Sequence, residues 1–191
     1  MMNRRHLLCL AALLAACSKN DAASPAAAAP AAKPATAADA YALAATGHGF
    51  TVGSMMAANT VYVFFDTTCP HCAELWKSSQ PLLNRLKIVW MPLGLLRPQS
   101  GPQGATILMA KDPVAAMNEN EISVLARGGG ISASQNIPDE VMAKVKANTE
   151  IFNQLGANSV PLIVYKNART GQAGQHAGAV DTNGLAQLVG L

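Results

Sequence analysis

Apolar residues fall along this chain in blocks, and the spacing inside each block says which element it forms. Asn59 to Asp66 carries Val61, Tyr62, Val63, Phe64 and Phe65 without polar alternation, which predicts a strand buried on both faces. His71 to about Leu86 predicts a helix that Pro81 kinks. Lys87 to Leu93 is a second strand, stopped by Gly94. Gly101 to Arg127 holds two helical stretches; Asp112-Pro113 opens the second and Gly128 to Gly130 end it. Pro138 to Leu155 is a long amphipathic helix with Val141, Val145, Ile151, Phe152 and Leu155 as its core stripe. Leu162 to Tyr165 and Ala173 to Val180 are two further strands, and Asp181 caps a last helix. The order predicts an α/β fold with a mixed central sheet and a helical insertion.

The first forty residues follow a different pattern. Arg4-Arg5 precede the short apolar run Leu7 to Ala16, too brief to span a bilayer, so Met1 to Cys17 reads as a secretory signal. Its ending, Leu14-Ala15-Ala16-Cys17, is similar to a bacterial lipobox, which implies acylation of Cys17 and a lipid anchor in the membrane. Residues 18–40 are dominated by Ala with Pro25, Pro30 and Pro34 interspersed. They read as a disordered tether, with the folded domain expected over 41–191. Tyr41 to Ala58 opens that domain as a short helix and a strand around Phe50 to Val52.

Charge changes this picture little. Removing Arg4 and Arg5 from the 14 basic residues leaves 12 against 11 acidic ones, a balance that implies no nucleic-acid partner.

Cysteine placement carries the chemistry. With Cys9 in the signal and Cys17 acylated, the folded part keeps Cys69 and Cys72, two residues apart at the start of a helix. That spacing lets the sulfurs meet in a disulfide, and the helix N-terminus favours a thiolate on Cys69. A disulfide closing so short a loop restrains the unfolded chain little, so exchange is the better reading than a structural staple. No metal site is expected: zinc takes four ligands, and His48, His71 and His176 have no spacing that completes one. Haem attachment needs a His after the second cysteine, where Ala73 stands. Asp66 either influences proton transfer at the cysteines or caps the loop, the second being favoured. Glu74 and Lys77 read as a solvated pair on the helix, and Trp76 and Trp90 as core. Pro161 ahead of a strand marks either a cis X-Pro turn or an ordinary trans proline at a strand start.

Cys69-Pro70-His71-Cys72, Pro81 and Val160-Pro161 together resemble the active loop, kinked helix and cis-proline loop of the thioredoxin fold. Val61-Tyr62-Val63 with Asp66, Ala110 to Pro113, and Leu155 to Asn158 resemble the catalytic domain of the DsbC/DsbG family of periplasmic disulfide isomerases, the DsbG branch above all. The likeness spans roughly 49–191. It implies a thiol–disulfide oxidoreductase with Cys69 as nucleophile, Cys72 as resolving cysteine, Pro70 fixing the loop, and His71 donating toward the Cys69 thiolate. Val160 and Pro161 are implied as the substrate-binding turn. The redox-active Cys69–Cys72 disulfide replaces any cofactor. Implied partners are exported protein clients and a membrane redox protein of DsbD or DsbB type, in the periplasm and on the outer membrane side. CPHC and Val160-Pro161 are forms found in DsbA-type oxidases, and residues 18–58 are too short and too poor in apolar residues for the family's dimerisation domain. A monomer is therefore expected. The alternative is a chaperone-like binding lipoprotein whose redox pair is incidental.

Overall fold

The computed structural model describes residue 34 and residues 36–191. The signal reading over Met1 to Cys17, acylation at Cys17, and the tether as far as Lys33 lie outside the described residues.

The fold begins earlier than the expected boundary at Tyr41. Helix α1 spans Ala37–Ala44, and residues 37–40 of the supposed tether belong to it. Thr36 supplies the cap that composition alone conceals: its Oγ1 accepts from the Asp39 N–H, and Asp39 accepts back from the Thr36 N–H, each at 3.1 Å. With both ends of that box in place, alanine's high helix propensity is realised, and Ala40 and Ala44 are buried.

A five-stranded mixed sheet follows, in the order β1-β3-β2-β4-β5. Its strands are β1 (Phe50–Gly53), β2 (Thr60–Asp66), β3 (Lys87–Leu93), β4 (Leu162–Lys166) and β5 (Ala173–Ala177). β2 lies at the centre, parallel to β3 and antiparallel to β4, which explains its unbroken apolar run. β5 is an edge strand and stops at Ala177, short of the expected Val180.

Successive side chains of β2 point to opposite faces, and helices cover both. Phe64 meets Phe152 of helix α5 (Asp139–Gln154), with ring centroids 6.3 Å apart. Phe65 meets Trp90 at 5.7 Å, and Trp90 meets Trp76 of helix α2 (Pro70–Ser79) at 5.0 Å. Both tryptophans are buried. All five residues of the expected α5 stripe are also buried. Burying one such side chain contributes about 1.5–3 kcal/mol, so this aromatic ladder fixes α2 against the sheet.

α2 is shorter than the expected run to Leu86. It ends at Ser79 and passes into a 3₁₀ turn over Gln80–Leu82. Pro81 lacks the N–H an α-helix needs there, so it terminates the helix instead of kinking it. The insertion after β3 holds α3 (Ser100–Met109) and α4 (Pro113–Leu125), the latter capped by Asp112 as expected. Asp181 caps the last helix, α6 (Thr182–Val189).

Candidate redox site

Strand β2 delivers the chain to the site through Asp66, Thr67 and Thr68, and Cys69 is the N-cap residue of α2. Pro70 occupies the first helical turn, where its fixed φ suits the helix and its missing N–H costs nothing. Cys72 lies one turn inside. Both cysteines are free thiols; Cys69 is 4% exposed and Cys72 fully buried.

Environment separates the two thiols. Hydrogen bonding from Cys72 draws the Cys69 pKa down to about 7, with backbone donors of Cys72 and His71 adding to it and burial opposing. Burial pushes Cys72 well above the ordinary thiol range, and the Cys69 thiolate beside it adds to the rise. One sulfur is thus poised to ionise near neutrality while its partner holds a proton.

The His71 side chain does not point its hydrogen bond at Cys69. Its Nδ1 pairs with Glu74 Oε2 at 2.9 Å, on the exposed face of α2. The carboxylate raises the His71 pKa, and the ring reaches Cys69 only as a weak charge, the smallest of the influences on that thiol. The same contact replaces the expected Glu74–Lys77 pair.

The turn before Cys69 is clamped from the insertion. Asp66 is fully buried, and its Oδ1 accepts from the Thr68 N–H (2.9 Å), Thr68 Oγ1 (2.8 Å) and Ser100 Oγ (2.7 Å). Its Oδ2 accepts from the Leu95 and Leu96 N–H groups at 3.1 and 2.9 Å. Such saturation makes Asp66 the tie between the ends of β2 and β3, in line with the capping reading. Thr67 donates to Gln103 Oε1 at 2.9 Å, and the Thr67 carbonyl accepts from Asn120 Nδ2 at 2.9 Å.

Opposite Cys69, the Val160–Pro161 peptide bond is cis. The Cys69 thiol donates to the Val160 carbonyl at 3.7 Å. The Val160 N–H has no hydrogen-bond partner among the described residues, which leaves it open to an approaching strand.

A match to the thioredoxin family model covers residues 45–88, the stretch that holds β1, β2, the redox pair and α2. The chain is 29% identical over 140 residues to the thiol:disulfide interchange protein DsbG of Pseudomonas aeruginosa, covering 72% of this chain and 54% of that protein. It is 33% identical over 109 residues to DsbG of Escherichia coli, covering 55% of this chain and 42% of that protein. The chain thus spans about half the length of the curated relatives it matches. Among solved structures, Proteus mirabilis ScsC in a compact conformation superposes with a TM-score of 0.61 at 18% identity, over 84% of this chain and 80% of that one. The fold is thioredoxin-like, and the sequence is similar to DsbG.

Within this domain, the structure brings Cys69, Pro70, Cys72, Val160 and Pro161 to one place and turns the His71 side chain aside. Cys17 lies outside the described residues. Sequence reading missed the contribution of α4. Glu121 is 2% exposed; its Oε1 accepts from Asn120 Nδ2 at 3.2 Å and its Oε2 has no partner. Burial raises its pKa to about 8, with the charges of Cys69 and Asp66 adding to the shift. A signal for it exists in the sequence: Asn120 and Glu121 share a helical face with Met117 and Val124, where apolar residues belong.

Proposed function

We propose that the domain is a thiol–disulfide oxidoreductase of the cell envelope that exchanges disulfides with exported proteins. The observation that carries this reading is the division of acidity between Cys69 and Cys72 at the start of α2.

In the reducing direction, the Cys69 thiolate attacks one sulfur of a client disulfide, forming a mixed disulfide and releasing the other client sulfur as a thiolate. Cys72 then gives up its proton, attacks Cys69 Sγ, and releases the second client thiolate. The client gains two electrons and the domain keeps the Cys69–Cys72 disulfide; the oxidising direction is the reverse. Glu121, a buried carboxyl whose charge acts on Cys72 and which feels the charge of Cys69, is suited to take the Cys72 proton. A base whose pKa lies near the working pH is best matched to that transfer. The open Val160 N–H supports an extended client segment aligned beside Cys69.

The signal pattern of Met1 to Cys17 supports a periplasmic location with Cys17 acylated and residues 18–35 as a tether at the outer membrane. Recycling then falls to a membrane redox partner of DsbD or DsbB type. A monomer with poor reshuffling of scrambled proteins is the expected form; a stable dimer with strong isomerase turnover would overturn it. Mass spectrometry of the mature N-terminus tests the anchor, and an unmodified start downstream of Cys17 would refute it.

The exchange reading is tested by incubating the reduced protein with a disulfide-bearing client. Cys72→Ser should accumulate mixed disulfides through Cys69, and Cys69→Ser should trap none. Equal trapping by both variants would count against the assignment. Binding of unfolded chains that survives Cys69→Ser, without exchange by the unaltered protein, would favour the chaperone-like alternative.

A further inference from the structure

A polar cavity of about 370 Å³ opens beside the redox loop, lined among others by Thr68, Pro70, Arg97, Arg127, Gly128 and Gly129. Thr68 and Pro70 flank Cys69 in the chain, so the cavity adjoins the loop that carries the nucleophile. Both arginines are exposed, and no carboxylate is among the lining residues. Among the described residues neither has a carboxylate within 4.0 Å. The two arginines thus line the cavity without an ion-pair partner among the described residues.

The backbone at Arg127 adds an independent observation. Arg127 has φ 62°, in the left-handed region, just past the Ala126 C-cap of α4. Its N–H bonds the Val124 carbonyl at 2.9 Å, and the Gly128 N–H bonds the Ser123 carbonyl at 2.7 Å. Glycine is the ordinary occupant of that place in this helix-ending motif. Here glycine fills the three positions that follow, and the left-handed one keeps an arginine. Next to it, the Gly129 N–H has no hydrogen-bond partner among the described residues, and a β-carbon there would meet nothing within 4 Å. Two cations and a free backbone donor thus share one rim, a donor set that suits a carboxylate.

We propose that this cavity binds a carboxylate carried by the thiol or disulfide that reacts at Cys69, so that the domain prefers partners with an acidic group near their cysteine. The inference rests on the exchange reading above. An extended segment advances ~3.3 Å per residue, so a Glu or Asp about two residues from the partner's cysteine reaches from the sulfur to the rim. The same chemistry is offered by an acidic protein segment and by a small peptide thiol such as glutathione.

Exchange rates decide the matter, measured with the full chain and two disulfide-bearing peptides identical but for Glu or Gln two residues from the cysteine. The Glu peptide should react about three- to tenfold faster, the range that one or two exposed charge pairs supply. That ratio should fall toward one in the double variant Arg97→Gln/Arg127→Gly. Glycine suits the backbone at 127, so the loss is not a failure to fold. Arg127→Lys should retain part of the ratio. An S-methylated Glu peptide, which cannot exchange, should still shift the amide resonances of Gly128 and Gly129. Oxidised glutathione names the source: arginine dependence shared with the Glu peptide assigns the site to acidic protein clients, and dependence confined to glutathione assigns it to the small thiol. Equal rates for the Glu and Gln peptides together with arginine-independent glutathione exchange, a Glu preference that survives the double variant, or unmoved amide resonances would each overturn the carboxylate site. Failure of every peptide to exchange would instead refute the exchange reading on which it stands.

Discussion

Asn120 reaches from α4 to the turn ahead of Cys69 and donates to the Thr67 carbonyl at 2.9 Å, while its Oδ1 accepts from the Ile131 N–H at 3.0 Å. One buried amide thus ties the insertion to the redox loop and to the glycine segment after α4. Asn120→Ala should leave the Thr67 carbonyl and the Ile131 N–H without partners. A loss of about 2–4 kcal/mol is expected in urea unfolding, at roughly 1–3 kcal/mol per stranded buried group.

The Cys69 thiol should titrate near 7, read by thiolate absorbance or by the pH dependence of alkylation. Its largest support is hydrogen bonding from Cys72, so Cys72→Ala should move the midpoint upward toward the ordinary thiol range. An unchanged midpoint in that variant would show that the helix terminus alone sets the acidity.

His71→Ala should raise the same midpoint by less than Cys72→Ala does, because the imidazole is engaged by Glu74 and acts on Cys69 only at a distance. A larger effect from His71 than from Cys72 would contradict the geometry.

Glu121 makes stability depend on pH in a definite direction. Its folded pKa, about 8, lies above the unfolded carboxyl value of ~4.3, so the folded state holds a proton the unfolded state has lost. The stabilisation it provides is complete below ~4 and is lost as pH rises through 8, a change on the order of a few kcal/mol. Relative to Glu121→Gln, the unaltered protein should become steadily less stable between those limits. Parallel urea titrations of the two proteins at several pH values would show it, and parallel curves would refute it.

Much of this fold can be read from residue order because the decisive signals are local. Val61 to Phe65 is apolar throughout since β2 has neighbours on both edges and helices on both faces, and Asp112 and Asp181 announce helices they do cap. Cys69, Cys72 and Pro161 are equally legible, since a short motif fixes their geometry. What escapes depends on contacts between distant segments. Ser100, Gln103 and Asn120 are ordinary polar residues in sequence, and only the packing of α3 and α4 against the loop makes them its clamp. The His71 side chain takes a different partner from the expected one for a related reason: a carboxylate one turn along the same helix competes for its ring more effectively than the thiol does.

The sources of acidity at Cys69 carry a consequence for how the site responds to ionic strength. Hydrogen bonds from Cys72 and from backbone N–H groups act at contact distance, inside the ~8 Å over which physiological salt screens a charge. Arg97 and Arg127, exposed to solvent, work within reach of that screening. The reactivity of the nucleophile should therefore hold steady from dilute medium to brine, while any charge-based choice among partners fades as salt rises.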